Sequence, residues 1–408
     1  MSPSAVTSLA PRLGAPPPRL PERLVPLLEA EVPRFSKPEI ARRRRAVAEA
    51  LAEAGAAHGL LLGGDRRASP LQWITGWPAS GNNMAVFSDG AGDLLLVPYP
   101  NHAPLARILA EDAEVRWGPE GSQALAIQEL VKRGAKGNKV GVVGGMSHAL
   151  YERLAASGME GIDLSRAYTR LRLIKSEEEL DWLRIGCALS DLGVEALGRD
   201  SAPGMNEHEL QTIIERAYMP WGGLTQIHFV GLTPMADPDC IVPFQIPRSR
   251  LAKAGDIIFT EIAAGFWGYP GQVLRSFSLA ADPTPLYRDL HAVAEECFNA
   301  VLKVLRAGAQ ATEVLDAAAC IARSGFAVCD DLLHGYGGGY LPPILGTHER
   351  PSGPLPDFPF AENMTMVVQP SIVTKDGKAG VQCGELVRIT KTGVERLHQA
   401  PWGFQRIG

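Results

Sequence analysis

A chain of 408 residues with 46% hydrophobic and 21% charged residues has room for two cores and the balance of a globular protein, not a disordered one. Its net charge of −5 excludes the broad positive field of a nucleic-acid binder. Six cysteines without a CxxC pair, an N-terminal stretch without a charged-then-apolar signal pattern, and no run near the ~18 apolar residues of a membrane span predict a cytoplasmic protein with reduced thiols and no membrane contact.

Taken in chain order, Pro16, Pro17 and Pro18 favour extended backbone and predict an arm over residues 1–36. Ile40, Val47 and Leu51 with interleaved alanines predict an amphipathic helix from Pro38 to about Gly55. Arg42–Arg45 lie in that helix, where successive side chains point about 100° apart, and are read as a solvated surface. Strands follow at Leu60–Leu62, Met84–Phe87, Leu94–Val97 and Lys139–Val143, with helices near Ala103–Glu111 and Gln123–Arg133, so residues 37–170 read as a small α/β domain. Beyond it Ser176 and Glu179 form the S-x-x-E signature of a helix start, and a long helix runs to about Leu197. A second helix (Asn206–Ala217), strands at Ile227–Val230 and Asp256–Ile262, helices at Leu286–Ala307 and Ala311–Arg323, and a series of short strands complete residues 171–408.

Five stretches carry a family resemblance in their order, spacing and hydrophobic pattern. They are Trp73-Ile74-Thr75-Gly76-Trp77, the segment Leu171–Leu180 (LRLIKSEEEL), residues 254–262 (AGDIIFTEI), 362–370 (ENMTMVVQP) and 384–397 (GELVRITKTGVERL). Together they resemble the pita-bread metallohydrolases, the family of aminopeptidase P, prolidase, methionine aminopeptidase and creatinase, from about residue 38 to the end. The resemblance implies an α/β N-terminal domain followed by an α+β pita-bread domain, a curved antiparallel sheet backed by helices with the site in its concavity.

In the metal-dependent members of that family the ligand positions carry Asp, Asp, His, Glu and Glu. The matching positions here read Glu261, Gln272, His334, Gln369 and Gly384. Clustered carboxylates without a cation repel one another, and amides are poor ligands for a hard divalent ion. The resemblance therefore implies a site that keeps its frame and changes its chemistry, and neither metal nor cofactor is expected. Glu385 follows the last position. A regular strand turns it to the opposite face, whereas a bulge at Gly384 re-aims it inward. His348, in Thr347-His348-Glu349, resembles the family's second histidine, and Phe244 stands where the family has a proton-transferring histidine. His228 is the nearest substitute, its direction depending on strand register. Tyr340 opens an irregular segment expected to select the substrate, and Arg275 matches a structural arginine of the family.

The leading expectation is a metal-independent, creatinase-like hydrolase of a C–N bond in a small polar molecule, without peptidase activity. Glu261 and His334 are its acid–base couple; Gln272, Gln369, His348, His228, Phe244, Glu385 and Tyr340 contact substrate. Departures from creatinase at Phe244, Leu274 and Gln369 argue against creatine itself. The alternatives are a non-catalytic binding or scaffold protein and a metallo-aminopeptidase or prolidase. The resemblance to creatinase also implies a homodimer in which the loop after Trp77, with Asn82 and Asn83, reaches the partner's site.

Overall fold

The computed structural model describes residues 9–64, 70–78 and 81–408. The first eight residues of the expected arm, and residues 79–80 of the loop after Trp77, lie outside the described residues. The chain forms two compact units, Ala30–Leu173 and a second made of Ile174–Gly408 with the segment that ends at Glu29.

That N-terminal segment carries the short helix α1 (Val25–Glu29) and buries Leu20, Leu24 and Leu28. Arg23 fixes the segment by a 2.7 Å hydrogen bond to Asp181.

The unit Ala30–Leu173 begins with helix α2 (Lys37–Glu53), capped by the Ser36 side chain on the Glu39 N–H. Strand β1 (Ala56–Gly63) and helix α3 (Pro70–Thr75) precede β2 (Asn83–Ser88), β3 (Asp93–Leu96), helix α4 (Ala103–Leu109) and β4 (Ala113–Arg116). Helix α5 (Ser122–Lys132), β5 (Lys139–Val143), α6 (His148–Ala156), β6 (Glu160–Asp163) and α7 (Ser165–Leu171) follow. The strands form a mixed sheet in the order β4-β3-β2-β1-β5-β6. Leu60, Val86, Leu94, Leu96, Leu130 and Val140 make its core. The Arg42–Arg45 run is only in part the solvated surface expected, since Arg45 is exposed but its neighbours are engaged. Arg43 is buried, donating to Glu39 at 2.6 Å and to the Trp73 carbonyl at 2.8 Å, and Arg44 pairs with Asp93.

The other unit opens with α8 (Glu177–Asp200), whose capping box joins Ser176 and Glu179 in both directions. After α9 (Glu207–Tyr218) come three long antiparallel strands, β7 (Leu224–Pro234), β8 (Asp256–Phe266) and β9 (Tyr269–Leu279). Helices α10 (Pro285–Val304), α11 (Ala311–Ala317) and α12 (Ala319–Ser324) lead into the short strands β10 (Ala327–Val328), β11 (Leu333–Tyr336), β12 (Tyr340–Leu345), β13 (Thr365–Val368), β14 (Ile372–Val373) and β15 (Gly380–Val381). The chain closes with β16 (Gly384–Ile389), β17 (Val394–Arg396) and β18 (Gln405–Ile407). The large sheet runs in the order β12-β11-β13-β16-β9-β8-β7.

One face of that sheet lies against α8 at unusually close range. A Cβ on Gly271 of β9 would meet Cys187 Cα at 2.3 Å, and one on Gly186 would meet the Tyr269 carbonyl oxygen at 2.3 Å. Ser190 stitches the contact by donating to the Gly271 carbonyl at 2.5 Å and accepting from the Ala264 N–H at 2.8 Å. The helix therefore fixes which residues of β8 and β9 face it and which face the other way. Among the described residues no helix is long and apolar enough to cross a membrane.

Candidate active site

Strand register decides the site. Glu261 lies opposite Leu274 and Phe229, and Gln272 lies opposite Ala263, two residues along from Glu261. Side chains alternate along a strand and paired residues share a face, so Glu261 and Gln272 stand together on the face away from α8. On the other side of the sheet centre, His334 pairs with Val367, and Gln369 follows two residues after Val367 on that same face. Four of the expected positions are thereby gathered.

Their side chains make one hydrogen-bonded chain. Gln272 Nε2 donates to Glu261 Oε1 at 2.8 Å and to Gln369 Oε1 at 3.1 Å. Gln369 Nε2 in turn reaches Asp331 Oδ2 at 3.3 Å and the Asp331 carbonyl at 3.4 Å. Two amides thus connect two carboxyl groups. Glu261 is partly accessible yet enclosed by protein on nearly every side. That burial, with the charges of Asp330 and Asp331 behind it, pushes its carboxyl up to about 8, so it is protonated at neutral pH. Burial, followed by the hydrogen bond and charge of Asp330, also raises Asp331 above the ordinary carboxylate range.

His334 is fully buried, and burial lowers its ring to about 4, leaving it neutral. Its Nδ1 lies 3.1 Å from the Gly335 carbonyl, which only accepts, so Nδ1 carries the proton and Nε2 offers a lone pair. The Gln369 amide lies beside the ring, and among the described residues Nε2 has no partner at hydrogen-bond geometry. Tyr340 stacks on the imidazole at 4.0 Å between centroids and shares a hydrogen bond with Asp331. Gln272 Oε1 and Gln382 Oε1 are likewise buried without a partner, a state that costs about 1–3 kcal/mol for each such atom.

Several expected contacts fall elsewhere. His228 lies opposite Ile262 and points to the α9 side, where its Nε2 meets the Tyr218 hydroxyl at 2.6 Å. Glu385 lies opposite Val273 and Val368 on the α8 face. It is fully buried between Arg275 at 2.7 Å and Arg396 at 2.6 Å. Burial alone would raise its carboxyl, but the Arg396 hydrogen bond and the Arg275 charge hold it below the ordinary range. Pairing through Gly384 runs without a register shift, so Glu385 is not re-aimed inward. His348 is a surface residue paired with Asp316 at 2.8 Å. Phe244 is exposed beneath the Arg248 guanidinium, 4.6 Å from its ring centroid.

Three members of the cluster escaped the sequence reading. Asp330 and Asp331 sit directly ahead of Leu332-Leu333-His334, and Gln382 sits two residues before Gly384. An acidic pair ahead of a candidate histidine and the two-residue period of a strand were the available signals.

A divalent cation does not fit these residues. Among the described residues no three His, Cys, Asp or Glu side chains are placed to hold a metal ion. Gln272 directs its N–H donor, not its carbonyl, at Glu261, and Glu385 is closed off by two guanidinium groups. No chemical step below runs through a metal.

Comparison with known proteins gives the lineage of this arrangement. The sequence model of a family described as metallopeptidase family M24 matches residues 181–391. The Xaa-Pro dipeptidase of Pyrococcus furiosus is 22% identical over 262 residues, covering 63% of this chain and 73% of the relative. Methionine aminopeptidase 2 of Bacillus subtilis is 26% identical over 215 residues, covering 50% of this chain and 83% of the relative. Among solved structures, the X-Pro aminopeptidase of Thermotoga maritima superposes with a TM-score of 0.76 at 19% identity, over 89% of this chain and 99% of its own. These relatives overturn the expectation of a creatinase-like hydrolase without peptidase activity, because they are named as dipeptidases and aminopeptidases. Substitution at the site positions suggests a change of reaction, but it does not by itself identify a substrate class.

Proposed function

Because this chain belongs to metallopeptidase family M24, we propose that it is a peptidase acting at the amino-terminal end of short peptides. The observation that carries the reading is the amide-linked carboxyl pair. Glu261 is protonated at neutral pH, and Gln272 and Gln369 connect it to Asp331 beside a neutral His334. Peptide hydrolysis needs one group to take a proton from water and another to give one to the substrate.

In this reading Asp331 accepts a proton from a water molecule as the water oxygen bonds to the peptide carbonyl carbon. Glu261 donates its proton to the carbonyl oxygen. Collapse of the tetrahedral species breaks the C–N bond, the proton held on Asp331 passes to the departing amine, and the hydroxyl proton returns to Glu261. The two amides hold the carboxyl groups in register, and His334 Nε2 accepts a hydrogen bond from the substrate. Tyr340, half-exposed over His334, closes the pocket on that side.

The test is product analysis by mass spectrometry after incubation with glycyl-proline, alanyl-proline and methionyl-alanine, with and without added manganese. Release of free amino acids is expected, and Glu261→Gln or Asp331→Asn should each lower kcat by about 10²–10⁴-fold. Absence of cleavage in every condition, or full activity in both variants, would sink the reading. Pairing of two copies belongs to the same proposal, supported by the creatinase resemblance alone. Sedimentation at twice the 43.7 kDa chain mass is its measurement.

A further inference from the structure

Three unpartnered atoms of the site share one property, which is that each only accepts. Gln272 Oε1 and Gln382 Oε1 are carbonyl oxygens, and His334 Nε2 is the unprotonated nitrogen of a ring whose Nδ1 faces the Gly335 carbonyl. All three belong to side chains at least nine-tenths buried. The amide donors of the same cluster are already engaged, Gln272 Nε2 with Glu261 and Gln369 and Gln369 Nε2 with Asp331, and the Gln382 side chain lies beside the Glu261 carboxyl. The Arg275 guanidinium, on the adjoining stretch of β9, points to the opposite face and is bound to Glu385. The cluster is therefore rich in acceptors and acidic groups, while the Gln272 and Gln369 amide donors are committed to holding it together.

A hard divalent cation prefers several charged oxygen ligands, which these neutral acceptors do not supply. A primary ammonium group carries three N–H donors and one positive charge, and it bonds neutral carbonyl oxygens and an imidazole nitrogen equally well. We propose that the cluster of Gln272, Gln382 and His334 is a binding site for an organic ammonium group, R–NH3+, with Glu261 beside it. On the peptidase reading, on which this identification of the substrate end rests, the group is the free amino terminus of the peptide. The same acceptors would hold a simple alkylamine.

Calorimetric titration of the full chain tests this without using turnover. The probes are benzylammonium chloride against benzyl alcohol, n-butylammonium chloride against n-butanol, and manganese chloride. Each ammonium probe is expected to bind at least about tenfold tighter than its neutral counterpart. Gln272→Met should remove about tenfold of affinity for the ammonium probes and leave the neutral ones unchanged. Gln382→Met should do the same, which keeps the test valid if the first variant fails to fold. Equal affinity for charged and neutral probes overturns the proposal. So does failure of both ammonium probes to bind, or stoichiometric manganese binding that Gln272→Met abolishes. Ammonium selectivity without peptide cleavage would leave this site standing while the peptidase reading falls, and cleavage without selectivity would do the reverse.

Discussion

A methyl group on residue 384 would come within 2.2 Å of the Val368 carbonyl oxygen and 2.8 Å of Gln369 Cα. That close approach brings β13 and β16 together beside the site and leaves no room for a side chain where the family resemblance places a glutamate. Gly384→Ala should therefore cost about 2–3 kcal/mol, seen as a lower urea midpoint at unchanged slope. An unchanged midpoint would show that the strands yield there. Glu385 next to it answers a different need. Arg275→Met would leave this fully buried carboxylate with Arg396 alone, at a cost of about 3 kcal/mol, and adding Glu385→Leu should recover much of the loss. A double variant no more stable than the single one contradicts this account. Together with the buried His334, His291 supplies part of the pH dependence. Burial, then the Arg275 charge, lowers its pKa from 6.5 to about 4, so between these values the unfolded chain binds a proton that the native one refuses. Stability contributed by this residue is present above about pH 6.5 and falls by about 3 kcal/mol as pH drops to about 4. His291→Phe, which keeps the stack on Phe404, should flatten that part of the stability curve. An equally steep curve in the variant rules the residue out as its source.

Among elements, α8 matters most to the site, although no residue of it joins the cluster. Its first turn is held by the reciprocal Ser176–Glu179 cap, and Glu179 also accepts from the Tyr269 hydroxyl at 3.0 Å. Its middle turns pack Gly186 and Cys187 onto β9 so closely that Gly271 must face the helix and Gln272 must face away. Ser176→Ala should lower stability by about 1 kcal/mol, and hydrogen exchange should show the first turn of α8 opening more often. Exchange rates unchanged across Glu177–Leu180 would contradict that role for the cap. The predicted helix Ala311–Arg323 is two helices, α11 and α12, with a break at Ala318. Nothing in the local pattern marks that break, since Ala317, Ala318 and Ala319 are all good helix formers.

At the scale of the molecule, each compact unit has its own sheet and its own buried core. Leu60, Val86 and Leu94 lie in the core of Ala30–Leu173, so Leu60→Ala should cost about 2–5 kcal/mol there. Native-state exchange is expected to rise in β1, β2 and β5 while the β8 and β9 amides keep their protection. Equal loss in both units would mean that they unfold as one.

The sequence by itself determined most of the succession of elements, the N-cap at Ser176, and the family to which five ordered stretches point. These are local patterns of period, capping and hydrophobicity, and they are legible because neighbours in the chain produce them. It also placed Glu261, Gln272, His334 and Gln369 in one site through that resemblance, and the strand registers put them on one face. Only the tertiary structure decided which way His228 and Glu385 turn, because a one-residue shift in register reverses every side chain of a strand. Likewise, Asp331 enters the site through the Gln369 amide, and Gln382 through the Glu261 carboxyl, contacts that span 38 and 121 residues of chain. No local pattern encodes such a meeting. Burial that exists only once the sheet, helices and loops have closed around Glu261 and His334 then sets their protonation.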